Sequence, residues 1–159
     1  MKCIHCRVET EEERREVPYD SLPGTTLANV PVRICPECGE TYTGIPNIAE
    51  LDRTLVEMVI SQESRLTPEE IRFVRKYLGL SGQDLAARMG VAPATVSRWE
   101  HGKQEMTESH ERLLRALAVI ETPVDDYSKA LPGDGLAEPK PWRARIAAAG
   151  EKWRPESAA

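Results

Sequence analysis

The sequence predicts an α+β protein: a small β-rich module holding four cysteines and one helix, then an all-helical domain, then a largely flexible tail. Three observations carry that prediction. All four cysteines fall in two Cys-x2-Cys pairs within the first 38 residues. The spacing of apolar residues changes from alternation to three-and-four at Ile48, and helix-capping signatures recur from Thr67 until the prolines and glycines beyond Pro123.

A chain of 159 residues is long enough for one ordinary domain or two small ones. A domain of about 60 residues is only marginally stabilised by apolar burial, so the weaker of two needs a staple. No run approaches the ~18–20 apolar residues of a membrane span. Met1 to Cys6 has no apolar core that could serve as a signal peptide, which places the protein in the cytoplasm, nucleoid-associated if it binds DNA. The net charge of −5 is unevenly spread. Residues 1–64 carry six basic and twelve acidic side chains, residues 65–115 nine and seven, and residues 116–159 six and seven. The acid sits at the front, so the middle segment can still approach a phosphate backbone.

Element by element, Val30 to Ile34 alternates apolar residues with Pro31 and Arg33, and Glu40 to Thr43 is a short β-prone run. Ser21-Leu22-Pro23-Gly24 is a turn between the halves. Ile48, Leu51, Leu55, Met58 and Val59 trace an amphipathic helix over about 47–60. Thr67-Pro68-Glu69-Glu70 is a capping box with proline at the first helical position, opening a helix that Gly79 ends. Ser81 with Asp84 opens a second helix stopped by Gly90. Pro93 opens a third, through Val96 and Trp99, that Gly102 stops. Thr107 caps a last helix carrying Leu113, Leu114, Leu117 and Ile120. The domains expected are 1–60, a linker at 61–66, 67–122, and a tail over 123–159 with at most a helical turn near Trp142 to Ala149. Trp142 and Trp153 are unusual for a solvated tail and suggest docking, onto the body or a partner.

The pairs Cys3/Cys6 and Cys35/Cys38 each aim two thiolates at one ion from a tight turn, and two such turns make a tetrahedral S4 site, the geometry Zn²⁺ favours. Four sulfur ligands leave no open position for water, so one structural Zn²⁺ per chain is expected, adding ~10–16 kcal/mol to folding. Gly39 supplies the permissive backbone such a turn needs, where the first pair has Arg7. Iron in the same cage is the rival ion. Structural disulfides are disfavoured in a cytosolic chain, and redox dithiols are the remaining alternative. His5 reads as a bystander.

From Ser81 to Gly102 the chain reads as a helix-turn-helix, which needs a positioning helix, a tight turn and a recognition helix shaped for the major groove. Val91, Val96 and Trp99 point to the core, leaving Ala94, Thr95, Ser97 and Arg98 on the other face. Arg98 is the candidate base reader, Arg to guanine being the commonest specific contact; the competing reading pairs it with Glu100 or Asp84. Ser81, Gln83 and Lys103 are candidate phosphate contacts. The Leu113, Leu114, Leu117 and Ile120 stripe reads either as a dimer interface or as closure of the monomer core. Dimers reading two half-sites of a palindromic operator, about 34 Å apart, would extend the short sequence that one domain reads.

The stretch Leu85-Ala86 through Gly90-Val91 to Thr95-Val96-Ser97-Arg98-Trp99-Glu100 and Gly102 resembles the Cro/repressor-like (XRE) helix-turn-helix family, which implies a five-helix-type lambda-repressor-like domain. The family often places Gln just after the helix cap; here that position is Gly82, with Gln83 one later. With Cys3-x2-Cys6 and Val30-Pro31-Val32-Arg33-Ile34-Cys35-Pro36-Glu37-Cys38-Gly39 before it, the arrangement over 1–120 is similar to MqsA-type antitoxins, a YgiT-type zinc finger ahead of an XRE helix-turn-helix. The resemblance implies a non-enzymatic repressor that binds a small toxin through residues 1–60, homodimerises and autoregulates its operon on double-stranded DNA. On that reading Glu9, Glu11, Glu12, Glu13, Glu16 and Asp20 meet a basic partner; as a bare charge run they are simply solvated. The alternative is a stand-alone zinc-containing regulator with no toxin. The sequence carries no catalytic His/Asp/Ser constellation or phosphate-binding glycine loop.

Overall fold

The computed structural model describes residues 1–121 and 135–157. In chain order the described elements are β1 (Glu11–Pro18), β2 (Thr25–Ile34), β3 (Thr41–Thr43), α1 (Ile48–Ile60), α2 (Pro68–Tyr77), α3 (Gly82–Met89), α4 (Pro93–Glu100), α5 (Glu108–Glu121), β4 (Ala144–Ala149) and β5 (Lys152–Glu156). They divide into two compact units. The first takes Met1–Asp20, Gly24–Leu51 and the chain from Arg143; the second takes Ser21–Pro23 and Asp52–Trp142. Among the described residues no helix is long and apolar enough to cross a membrane.

The first unit is a five-stranded sheet built around β2. β1 runs antiparallel along one edge of β2, with Glu11 opposite Ile34 and Pro18 opposite Thr26. β3 pairs with the end of β2 on its other edge, Thr43 opposite Val32. A sequence irregularity in β2 explains its shape. Thr25 and Leu27 are buried, then Val30 and Val32, so the apolar positions change parity midway. An unbroken strand would turn one pair to solvent. The ladder instead slips: Arg15 faces Val30 but Val17 faces Leu27, so two steps on β1 match three on β2. The extra residue is taken up at Asn29, whose φ of 58° lies in the left-handed region that Asn tolerates better than most residues.

The rest of the β2 edge that β3 begins to cover is filled by residues from far along the chain. β4 pairs with it in parallel, Thr25 beside Ala144 and Ala28 beside Ala147, and β5 folds back antiparallel on β4. This corrects the flexible tail expected over 123–159 and the helical turn expected near Trp142 to Ala149. Residues 144–156 are two strands, while 123–134 and 158–159 of that expected tail lie outside the described residues. Alanine-rich β4 has no local strand preference; the open edge of β2 decides, because it offers unpaired backbone groups and a buried face. Ile146, Ala148 and Trp153 bury on that face at 0%, 4% and 4% exposure. Asn29 Nδ2 donates to Ala148 O at 2.8 Å, Asn47 Nδ2 to Glu151 O at 2.9 Å, and Trp153 Nε1 to Pro46 O at 2.9 Å. Trp153 therefore docks onto the body of its own chain. Pro155 is tolerated because β5 ends the sheet.

The second unit holds α2 to α5, and its helices begin where the caps were expected. Thr67 and Glu70 form a reciprocal capping box on α2, and Ser81 and Asp84 do so on α3. Gly90, at φ 67°, ends α3 in the left-handed conformation, and Ala92 precedes α4 without a side-chain cap. Pro93 at the start of α4 removes one amide that would otherwise lack a partner.

The stretch expected to be a linker, 61–66, falls within this unit and is hydrogen-bonded into it. Ser64 and Leu66 are buried, and the fully buried Arg115 of α5 reaches into the segment. Its guanidinium donates to the carbonyls of Ile60, Gln62 and Ser64 at 2.7–2.8 Å, and to Glu111 at 3.0 Å. Glu111 also accepts from Leu66 N, and Glu70 accepts from Gln62 Nε2. Burying this charge is tolerable because its Nη donors are met by carbonyls and a counter-charge. Ser64 further forms a bridge with Ala137.

Candidate metal centre and candidate nucleic-acid interface

The four cysteines converge in the first unit, their sulfurs all within 4.8 Å of one another. Cys6 lies 3.2 Å from Cys35 and 3.6 Å from Cys38, and Cys3 lies 3.6 Å from Cys38. A tetrahedron with metal–sulfur bonds of ~2.3 Å has edges of about 3.8 Å, so these separations fit one ion at the centre. The two turns that present them have the same backbone. Cys3 N donates to Val8 O and Arg7 N to Cys3 O; Cys35 N donates to Glu40 O and Gly39 N to Cys35 O. The 28 residues between the pairs are spent on the β1–β2 hairpin, which returns the second turn to the first.

Tyr42 on β3 is a member of the site that the sequence reading missed. Its hydroxyl accepts from Ile4 N at 3.2 Å and lies 3.3 Å from Cys3 Sγ. That contact is the main reason the Cys3 thiol is lowered to about 6, assisted by the backbone amide of Cys6. Cys6 moves the other way, up to about 12, chiefly through its hydrogen bond with Cys35. Four thiols this close cannot all ionise without a cation among them. The donor set and its spacing fit a divalent ion that prefers sulfur. The signal for Tyr42 was only its place in the β-prone run after the second cysteine pair. His5 is exposed and outside the cluster.

The acidic residues at 9–20 lie mostly on β1, an edge strand exposed on both faces. Much of their charge is already met. Glu9 pairs with the amino terminus, Glu12 with Arg14 and Arg33, Glu13 with Arg15, and Glu16 with Arg145. Glu11 and Asp20 have no ion pair among the described residues.

In the second unit, α3 and α4 are joined by a short turn at Gly90–Ala92. Ala94, Ser97 and Arg98 are exposed on α4, Thr95 is half-buried, and Gln83 and Lys103 are exposed on either side. Both acids that might have neutralised Arg98 are engaged elsewhere. Glu100 is 7% exposed, held by Arg75 through two hydrogen bonds and approached by Arg72. Asp84 caps α3, accepting from Ser81 N at 3.0 Å and from its hydroxyl at 2.6 Å. Among the described residues Arg98 has no carboxylate partner. Ser81, by contrast, already uses its hydroxyl in the cap. Trp99 is 2% exposed and packs beside His110, ring centroids 5.2 Å apart, so it belongs to the core.

The apolar stripe of α5 divides. Leu113 and Ile120 are exposed at 39% and 74%, and Leu117 is half-buried. Leu114, expected with them at a dimer interface, is fully buried. It shares its helix face with Ala118 and packs into its own unit, so it cannot line an outer surface.

The four-sulfur cage makes this a protein stapled by a structural zinc ion. A family profile described as the antitoxin component of bacterial toxin-antitoxin system, MqsA, matches residues 1–122, and the chain belongs to that family. The β4–β5 hairpin lies beyond the matched residues. No curated protein matches the chain.

Proposed function

We propose that this antitoxin represses transcription by binding DNA in a sequence-specific way through α3 and α4, and binds its toxin through the zinc-stapled unit. The observation that carries the DNA reading is the uncompensated Arg98. A guanidinium left without a carboxylate on an exposed helix face, with Ala94, Thr95 and Ser97 around it, is suited to enter the major groove. The exposed Gln83 and Lys103 are the residues we assign to phosphates, and Ser81, whose hydroxyl is engaged by Asp84, is assigned a backbone contact. Leu113, Leu117 and Ile120 supply an apolar stripe for a homodimer on a palindromic operator.

The toxin reading rests on the exposed edge strand β1. Its ion pairs are solvent-exposed and worth about 0–1 kcal/mol each, so a basic partner can displace them at small cost. Metal and partner then have separate tasks, folding and recognition.

The test is anisotropy with a duplex from the chain's own upstream region against a scrambled duplex. Arg98→Ala is expected to weaken specific binding by ~1–3 kcal/mol and leave the zinc content unchanged. Equal affinity for both duplexes, before and after the substitution, overturns the DNA reading. For the toxin, a tagged chain should co-purify a small basic protein in equal amount, and Glu11→Lys with Glu13→Lys should lose it.

A further inference from the structure

We propose that the metal centre is also an oxidant-modified site, in which Cys6 and Cys38 are the reactive pair and their disulfide releases the ion. Each cysteine turn contributes one buried and one exposed cysteine. Cys3 and Cys35 are 0% and 1% exposed, whereas Cys6 and Cys38 are exposed. Cys3 is further occupied by the Tyr42 hydroxyl. The sulfurs of the two exposed cysteines come from different turns and stand 3.6 Å apart. A disulfide needs ~2.05 Å, so a small closing movement of two solvent-facing turns brings them together.

The oxidant is a peroxide. One thiolate of the pair attacks the O–O bond, forming an S–O bond and expelling hydroxide. The second thiolate attacks that sulfur, forming the S–S bond and expelling a second hydroxide. The two sulfurs together lose two electrons and the peroxide gains them. Cys3 and Cys35 alone then supply two of the four ligands that a closed structural site requires, and zinc leaves. Because the bond joins the first turn to the second, the oxidised unit exchanges one staple for another. A dithiol reductant and added zinc reverse the change.

The experiment uses the full-length chain, with one zinc per chain verified beforehand, so that absence of metal is distinguished from failure of the proposal. One equivalent of hydrogen peroxide is added and free zinc is followed with a chromogenic chelator. The expected result is release of one zinc per chain, a Cys6–Cys38 linked peptide by mass spectrometry, and recovery with dithiothreitol and zinc. Brief iodoacetamide labelling of the untreated zinc-loaded chain is a second measurement that needs no variant; Cys6 and Cys38 should be alkylated several-fold faster than Cys3 and Cys35. Retention of zinc, a disulfide within either Cys-x2-Cys pair, or uniform labelling of all four cysteines overturns the proposal.

Discussion

Arg7 and Gly39 occupy the same position in the two cysteine turns, at φ 63° and 72°, and each donates its amide to the carbonyl of the first cysteine of its pair. Only one of them is suited to that backbone. A side chain in the left-handed region costs roughly 1–2 kcal/mol, which glycine avoids. The first turn therefore holds strain that the metal stabilises.

Arg7→Gly should relieve that strain. The expected gain is about 1 kcal/mol in the stability of the zinc-loaded first unit, measured by denaturant titration, with zinc stoichiometry unchanged. A loss of stability would mean that the Arg7 side chain makes a contribution larger than its backbone cost.

Trp153→Ala tests the docked hairpin. The side chain is 4% exposed, and its Nε1 donates to Pro46 O. Removing a buried tryptophan costs ~3–5 kcal/mol, so the first unit should unfold at markedly lower denaturant even with zinc present. An unchanged midpoint would show that residues 144–156 add nothing to the sheet.

The Ser81–Asp84 cap predicts a pH dependence. Hydrogen bonds from the Ser81 hydroxyl and amide hold the Asp84 carboxyl below its ordinary value of 3.8. A depressed folded value means that its stabilisation is present above the unfolded value and is lost as pH falls through the folded one. In a carboxyl-detected NMR titration Asp84 should titrate below 3.8, and Ser81→Ala should move it upward. The stability difference between the two proteins should narrow in acid as this contribution disappears. A difference constant down to full protonation would assign the cap to the hydroxyl–amide bond alone.

Much of this protein was legible locally. The Cys-x2-Cys pairs announce their cage because each turn is short enough to aim its sulfurs by itself, and the caps at Thr67 and Ser81 satisfy amides three residues away. The exposure of Arg98 was legible because the phase of the buried Val96 and Trp99 specifies the opposite face of α4. Other features had no local signal. Tyr42 reaches Cys3 only after β3 pairs with β2. The role of Arg115 was half-visible, since Glu111 four residues earlier shares the phase of Leu114 and Ala118, but its carbonyl partners lie more than fifty residues away.

The sequence by itself determined each metal-ligating cysteine pair, the helix boundaries and the exposed face of α4, each set by contacts within a few residues, while the β1–β2 hairpin joins the two pairs. Only the tertiary structure decided that residues 144–156 are strands and that Leu114 is core. An alanine-rich segment has no strand preference of its own, and an open sheet edge more than a hundred residues earlier supplies the hydrogen bonds and the buried face that select one. Asn29 shows both levels in one residue. Its type permits the left-handed backbone, but the parity of Leu27 and Val30 across the ladder is what places a bulge there.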